Sequence, residues 1–166
     1  RNEILLQAVV DPLTGAYNRL MLPDQLDQLA SGGSTTSAVM SIDLDRFKQV
    51  NDERGHQAGD LVLATVVERL TAATRGHDVV IRMGGDEFLV ILHDIGHDDA
   101  LHLAERIVGK VEEPIDFQGT KLSVSASVGV AMVPGGRTDT DDVLHRADLA
   151  MYEAKRSAAG VQLASA

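Results

Sequence analysis

Apolar positions along this chain recur with two periods, one near 3.6 residues and one of two, and the alternation between them lays out its elements. Residues 3–10 have helical character, and Asp11-Pro12-Leu13-Thr14-Gly15 closes that stretch with a proline and a glycine that mark a turn. Leu22, Leu26 and Leu29 follow at helical spacing, up to a small polar loop at Ser31-Gly32-Gly33-Ser34. Val39, Met40 and Ile42 make residues 38–44 a strand, which ends in Asp43-Leu44-Asp45. A short helix is expected over residues 46–52. After it, Gly55-His56-Gln57-Ala58-Gly59-Asp60 reads as a glycine-bracketed loop that opens an amphipathic helix. Leu63, Val66, Val67 and Leu70 share one face of that helix, and Gly76, after Arg75, fits a left-handed cap at its end.

Two β-rich runs come next, Val79 to Ile81 and Phe88 to Leu92, separated by Arg82-Met83-Gly84-Gly85-Asp86-Glu87. Glycine supplies the positive φ of a tight turn, so this is a hairpin with two carboxylates at its tip. Residues 98–111 place Leu101, Ala104, Val108 and Val111 on one helical face before Pro114. Residues 121–133 alternate as one long strand, with Leu122, Val124, Ala126, Val128 and Val130 on the same side. Thr138 to Thr140 can cap a last helix bearing Val143, Ala147, Met151 and Ala154, and residues 161–163 suit a closing edge strand. The core order of strand, helix, strand, strand, helix, strand predicts an α+β chain. Its architecture is a ferredoxin-like βαββαβ core, with a mostly antiparallel sheet flanked by helices.

Composition narrows the chemistry. With 166 residues, 44% of them apolar, the chain has enough material for one well-cored domain. A net charge of −10 argues against nucleic acid as a partner, because a phosphate backbone calls for a basic face. The absence of cysteine excludes disulfides and thiolate zinc sites. No run approaches a membrane span, so no membrane contact is expected and the expected location is cytoplasmic. The chain starts without Met at Arg1 and already in helical pattern. Residues 1–10 are therefore expected to be the end of a helix from an upstream signalling segment of a larger protein, with the domain itself at 11–166.

Turns often carry an Asp that caps them, so an isolated Gly-Gly-Asp has no function by itself; its company decides. In a ferredoxin-like sheet the first strand lies about 4.8 Å from its neighbour in the hairpin, which lets Asp43 and one of Asp86 and Glu87 share a cation. Oxygen ligands without Cys or a close His pair suit Mg²⁺ or Mn²⁺. The chain turns from strand into helix between Asp43 and Lys48, where unpaired amides favour a phosphate near Phe47 and Lys48. Asn51 and Asp60 flank the glycine loop and match the hydrogen-bonding edge of guanine. No phosphate-loop, dinucleotide, nucleophile-elbow or His-Glu-x-x-His motif is present.

Gly84-Gly85-Asp86-Glu87-Phe88 resembles the signature of GGDEF domains, bacterial diguanylate cyclases that join two GTP into cyclic di-GMP and release two pyrophosphates. The resemblance extends to Asp11-x-Leu13-Thr14-Gly15-x-x-Asn18-Arg19, Asp43-x-Asp45-x-Phe47-Lys48-x-x-Asn51-Asp52 and Gly55-His56-x-x-Gly59-Asp60. Ser127-x-Gly129 and Ala147-Asp148-x-x-x-Tyr152-x-x-Lys155 continue it, in the family's order and over nearly the whole chain. It implies a fold like that of nucleotidyl cyclase catalytic domains. It also implies catalytic Asp86, Glu87 and Lys155, and metal ligands Asp43, Asp86 and the Leu44 carbonyl. GTP would meet Phe47, Lys48, Asn51, Asp60, Gly84, Gly85 and Lys155, while Asp45 is a structural acid. Each domain would bind one GTP, so catalysis implies a homodimer. Arg75, Asp78 and Arg106 match an inhibitory product site for cyclic di-GMP. Leu20 and Ala159 stand where the family commonly has Arg. Ala159 therefore supports an alternative, a weak or inactive module that binds GTP or cyclic di-GMP, and a cyclase making a cyclic mononucleotide is a third reading.

Overall fold

The computed structural model describes residues 8–31, 33 and 35–165. Residues 8 and 9 are helical, while residues 1–7 of the expected upstream helix lie outside the described residues. The Asp11 turn then forms as expected: Gly15 sits at φ +79° and donates to the Asp11 carbonyl, and Thr14 Oγ1 donates to Asp11 Oδ2. A single 3-10 turn (Arg19–Met21), capped by the Asn18 side chain, leads into α1 (Leu22–Ser31). The elements that follow are β1 (Ser37–Asp45), α2 (Phe47–Arg54), α3 (His56–Ala73), β2 (Val79–Gly84), β3 (Glu87–Leu92) and α4 (His97–Val111). The chain closes with β4 (Ile115–Phe117), β5 (Thr120–Leu122), β6 (Ser125–Val133), α5 (Thr140–Ser157) and β7 (Val161–Leu163).

The main sheet has five strands in the order β2-β3-β1-β6-β7. Its four core strands therefore stand fourth, first, third, second, the ferredoxin-like arrangement read from the sequence, with β7 added in parallel outside β6. All other pairings in it are antiparallel.

Both faces of this sheet are covered. Met40, Ile42, Leu44, Phe88 and Val90 pack against Leu63, Val66 and Leu70 of α3 and against Leu103 and Ile107 of α4. Val39, Leu89, Ile91 and Ala131 point the other way, to Leu29 of α1 and to Val143 and Ala147 of α5. Successive side chains alternate in a strand, so Val39, Ser41, Asp43 and Asp45 share this second face. Along β1 that face changes from core to polar within four positions, and the change is what leaves carboxylates at the sheet's end.

Three sequence expectations differ from the structure. The glycine-bracketed loop at 55–60 is one residue, Gly55 at φ +90°, and Gly59 and Asp60 already belong to α3. Glycine's low helix propensity misplaced the start. Gly59 packs closely against α2: a Cβ there would displace the side-chain amide of Asn51. At its other end α3 stops at Ala73, with Thr74 extended and its hydroxyl donating to the Leu70 carbonyl, so Gly76 is not a left-handed cap. Finally, the long strand over 121–133 is two strands. β5 turns away to pair with β4 in a separate hairpin, through Gln118 and Gly119, both at positive φ. Leu122, Val124 and Ala126 are all buried, so the alternating pattern runs through the break and conceals it.

Candidate active site

The hairpin between β2 and β3 turns at Gly85, φ +47°, and Asp86. A register shift between Arg82 and Gly84 bends β2 just before the turn. The Leu44 amide donates to the Asp86 carbonyl at 3.2 Å, pinning the turn against β1. Glu87 begins β3 directly across from Asp43. Alternation alone had separated Asp86 from Glu87, but the turn brings both under the influence of Asp43. The Asp86 carboxyl is pushed above its ordinary value, first by burial and then by the charge of Asp43. Glu87 is raised by the same two causes in the same order, with Asp148 adding to them. The carboxylates resist ionisation together, as neighbouring like charges do.

Lys155 reaches down from α5 into this group. Its Nζ donates to Asp43 Oδ2 at 2.5 Å and lies 3.6 Å from Asp45 Oδ1. Burial alone would lower the ammonium's pKa; the hydrogen bond to Asp43 and the charges of Asp43, Asp45 and Asp86 outweigh it and set it above the ordinary value. Among the described residues no three His, Asp or Glu side chains converge into a metal cage. A hard cation does fit the donor set: Asp43 and Asp86 are carboxylates whose mutual charge is incompletely offset, and Leu44 adds a carbonyl oxygen. Such an ion would complete its shell with substrate oxygens or water.

The residues expected to meet phosphate and base lie on the next elements. Arg46 stands in the left-handed region at φ +68° and no side chain caps the start of α2, so the first amides of the helix, at Phe47 and Lys48, carry no side-chain acceptor. Phe47 is anchored in the core and Lys48 is exposed. Gly55 alone joins α2 to α3, and this sharp connection sets half-buried Asn51 of α2 against Gly59, next to exposed Asp60. Gly84 and Gly85 are exposed at the hairpin.

Two positioning residues carried no role in the sequence reading. Arg82 donates from Nε to the Gly85 carbonyl at 3.1 Å and from Nη1 to Asp11 at 3.3 Å, so it ties the hairpin turn to the N-terminal turn. Arg82 lies inside the signature stretch, yet nothing in its spacing shows a partner 71 residues away. Arg46 is the other, since its left-handed conformation has no local sequence signal.

Arg75, Asp78 and Arg106 lie away from this site, around the end of α3. The Asp78 side chain is fully enclosed, accepting from the amides of Arg75 and His93. The Arg75 guanidinium donates to the carbonyls of His93 and Asp94, and Arg106 donates to that of Ala73. Arg75 and Arg106 line one groove with Asp94, Gly96 and His102. Leu20, two-thirds exposed at 66%, borders the hairpin, and Ala159 is exposed just past the end of α5. No helix among the described residues is long and apolar enough to cross a membrane.

Comparison with known proteins supplies independent findings. A family model described as "Diguanylate cyclase, GGDEF domain" matches residues 8–160. The chain is 40% identical over 159 residues to the diguanylate cyclase TpbB of Pseudomonas aeruginosa, covering 93% of this chain and 37% of that protein. It is 39% identical over 156 residues to MucR of the same organism, a bifunctional diguanylate cyclase/cyclic di-GMP phosphodiesterase, covering 92% of this chain and 23% of that protein. The chain thus spans well under half the length of these relatives. Among solved structures, the isolated GGDEF domain of TpbB superposes with a TM-score of 0.85 at 37% identity, covering 94% of both chains. The coiled coil and GGDEF domain of DgcB from Caulobacter crescentus, solved in complex with c-di-GMP, gives 0.89 at 29% identity, covering 98% of this chain and 89% of that one.

Proposed function

Because the chain belongs to the GGDEF, diguanylate cyclase family, we propose that it condenses two molecules of GTP into cyclic di-GMP with release of two pyrophosphates. The observation that carries this reading is the meeting of Asp43, Asp86, Glu87 and Lys155 at one end of the sheet, beside a helix start that no side chain caps. Asp43, Asp86 and the Leu44 carbonyl would hold the divalent cation, Mg²⁺ or Mn²⁺. When bound, that ion lowers the pKa of an attacking 3′-hydroxyl and offsets charge on the departing pyrophosphate.

The remaining work falls to the chain's own groups. The amides of Phe47 and Lys48 receive phosphate oxygens, and the exposed backbone of Gly84 and Gly85 lets the triphosphate approach the hairpin closely. Lys155 supplies a cation to the triphosphate, and Glu87 holds a second negative charge beside Asp43. Asn51 and Asp60 read the guanine edge, Asp60 by accepting from its N–H groups. One such site accommodates one GTP, so the reaction requires two domains facing each other as a homodimer.

Cyclic di-GMP is proposed also as an inhibitor, held at Arg75 and Arg106 with Asp78 fixing the loop. That surface lies apart from Asp43 and Asp86, so occupancy would act by coupling between separate sites. In the whole protein we place the domain at residues 11–166, on the cytoplasmic side.

Mass spectrometry of the products formed from GTP and Mg²⁺ tests the reading. Cyclic di-GMP is the expected product. Cyclic GMP would point to a mononucleotide cyclase. Bound nucleotide without product would favour the regulatory module that Ala159 supports, since this position offers no second cation to clamp a triphosphate.

A further inference from the structure

Lys155 is shared by two carboxylates that differ in what else they do. Asp43 belongs to the proposed cation site and carries the 2.5 Å bond to Nζ. Asp45, two positions on and on the same face of β1, lies 3.6 Å from Nζ. Asp45 is held from the neighbouring strand. Ser125 Oγ, directly across the ladder, donates to its Oδ2 at 3.1 Å, and Ser127 Oγ lies 3.0 and 3.1 Å from its two oxygens. The helix that bears Lys155 is held by the same strand. At Gly129 β6 meets α5 backbone to backbone, and a Cβ there would run into the carbonyl of Ala147 and the amide of Met151. Ser127-x-Gly129 therefore fixes both the base of the lysine and the carboxylate beside its tip.

A divalent cation on the Asp43 oxygen that accepts from Lys155 would compete with the ammonium, because two positive charges would share one acceptor at contact distance. With the α5 backbone pressed onto the strand, the ammonium moves by rotation of its own side chain and not with its helix. Among the described residues Asp45 is the other carboxylate paired with it. We propose that Asp45, oriented by Ser125 and Ser127, is a positioning residue that receives Lys155 when Asp43 turns to the cation, and so holds the ammonium where it meets the triphosphate. This rests on the GTP-binding reading above.

Bulk electrostatics makes the opposite forecast: deleting a negative charge beside a triphosphate should tighten its binding. Calorimetry of GTP in the presence of Mg²⁺, and of guanosine alongside it, separates the two for the full chain carrying Asp45→Asn, Ser127→Ala, Ser125→Ala or Lys155→Met, and for Asp45→Asn combined with Lys155→Met. Asp45→Asn is expected to weaken GTP about tenfold and the serine variants less, a range set by couplings between contacting residues. Guanosine affinity should hold, and Asp45→Asn should cost nothing more once Lys155 is gone. Tighter GTP binding in Asp45→Asn, an equal loss for guanosine, or losses that multiply in the double variant would each overturn the proposal. Ser125→Ala, at the first position of β6, keeps the serine arm readable if Ser127→Ala does not fold. A wild-type chain that binds GTP with the expected coupling yet forms no cyclic dinucleotide sinks the cyclase reading alone, whereas a chain that binds no GTP sinks both.

Discussion

Asp86 sets stability against its proposed chemistry. Its pKa is raised from the ordinary 3.8, by burial first and by Asp43 second, so the folded state holds its proton more tightly than the unfolded chain does. The sign follows from that inequality: the ionised group weakens the fold above the raised value, and the penalty disappears below 3.8, where both states are protonated. Asp86→Asn should therefore melt higher than wild type at neutral pH without divalent cation, melt equally at strongly acid pH, and make no cyclic di-GMP. Unchanged turnover would remove Asp86 from the site, and a lower melting point at pH 7 would contradict the electrostatic account. His93 runs the other way. Burial lowers it from 6.5, and its Nε2 sits 3.1 Å from Gln25 Oε1. As pH falls through 6.5 the unfolded chain takes up a proton that the folded chain refuses, so stability declines until the lowered folded value is passed. Melting temperatures between neutral and mildly acid pH should drop more steeply for wild type than for His93→Gln, and parallel curves would refute this.

At the scale of elements, the junction of β6 and α5 is expected to decide whether the proposed site is assembled. A Cβ at Gly129 meets helix backbone, which cannot turn aside as a flexible side chain can. Gly129→Ala should cost about 1 to 3 kcal/mol through overpacking, several degrees of melting temperature in a domain of this size, and should weaken GTP because Lys155 moves with its helix. Val130→Ala is the control: Val130 is fully buried in the other core layer, so it should lose comparable stability while keeping GTP affinity. If the two variants lose GTP affinity alike, the junction has no special part in placing Lys155. The same scale shows why one expectation failed at 121–133. A period-two pattern records which side each residue faces, and β5 and β6 bury the same side before and after the chain changes sheet.

For the whole molecule, the described residues of one domain gather Asp43, Asp45, Asp86 and Glu87 around Lys155, while the proposed reaction consumes two GTP. Under that proposal two domains would have to meet, and a net charge of −10 on each copy opposes the encounter. The rate per molecule should climb with protein concentration and approach a plateau only where dimers dominate, measured as cyclic di-GMP formed at fixed saturating GTP. A rate per molecule independent of concentration over a hundredfold range would show that a monomer suffices or that a dimer is already complete. The Arg75 groove adds a second expectation. Arg75→Ala should raise the cyclic di-GMP concentration needed for inhibition, and unaltered inhibition would move the product site elsewhere.

Sequence by itself determined most of the layout: the order of the strands and helices that build the main sheet, though not the β4–β5 hairpin, and the candidate acids at 43, 86 and 87. Each of these is written in local periodicity or in glycine chemistry, which act over a few residues. Tertiary structure decided what the acids do to one another. The field of Asp43 on both Asp86 and Glu87, the reach of Lys155 across 112 positions, and the Arg82 tie to Asp11 all depend on strand register and on how closely α5 lies to β6. The closeness of that packing is set by a missing Cβ at Gly129, and whether a glycine is a turn or a contact is fixed only by what packs against it. Gly59 shows the same dependence, since its contact with the Asn51 side chain exists only after α2 has folded back at Gly55.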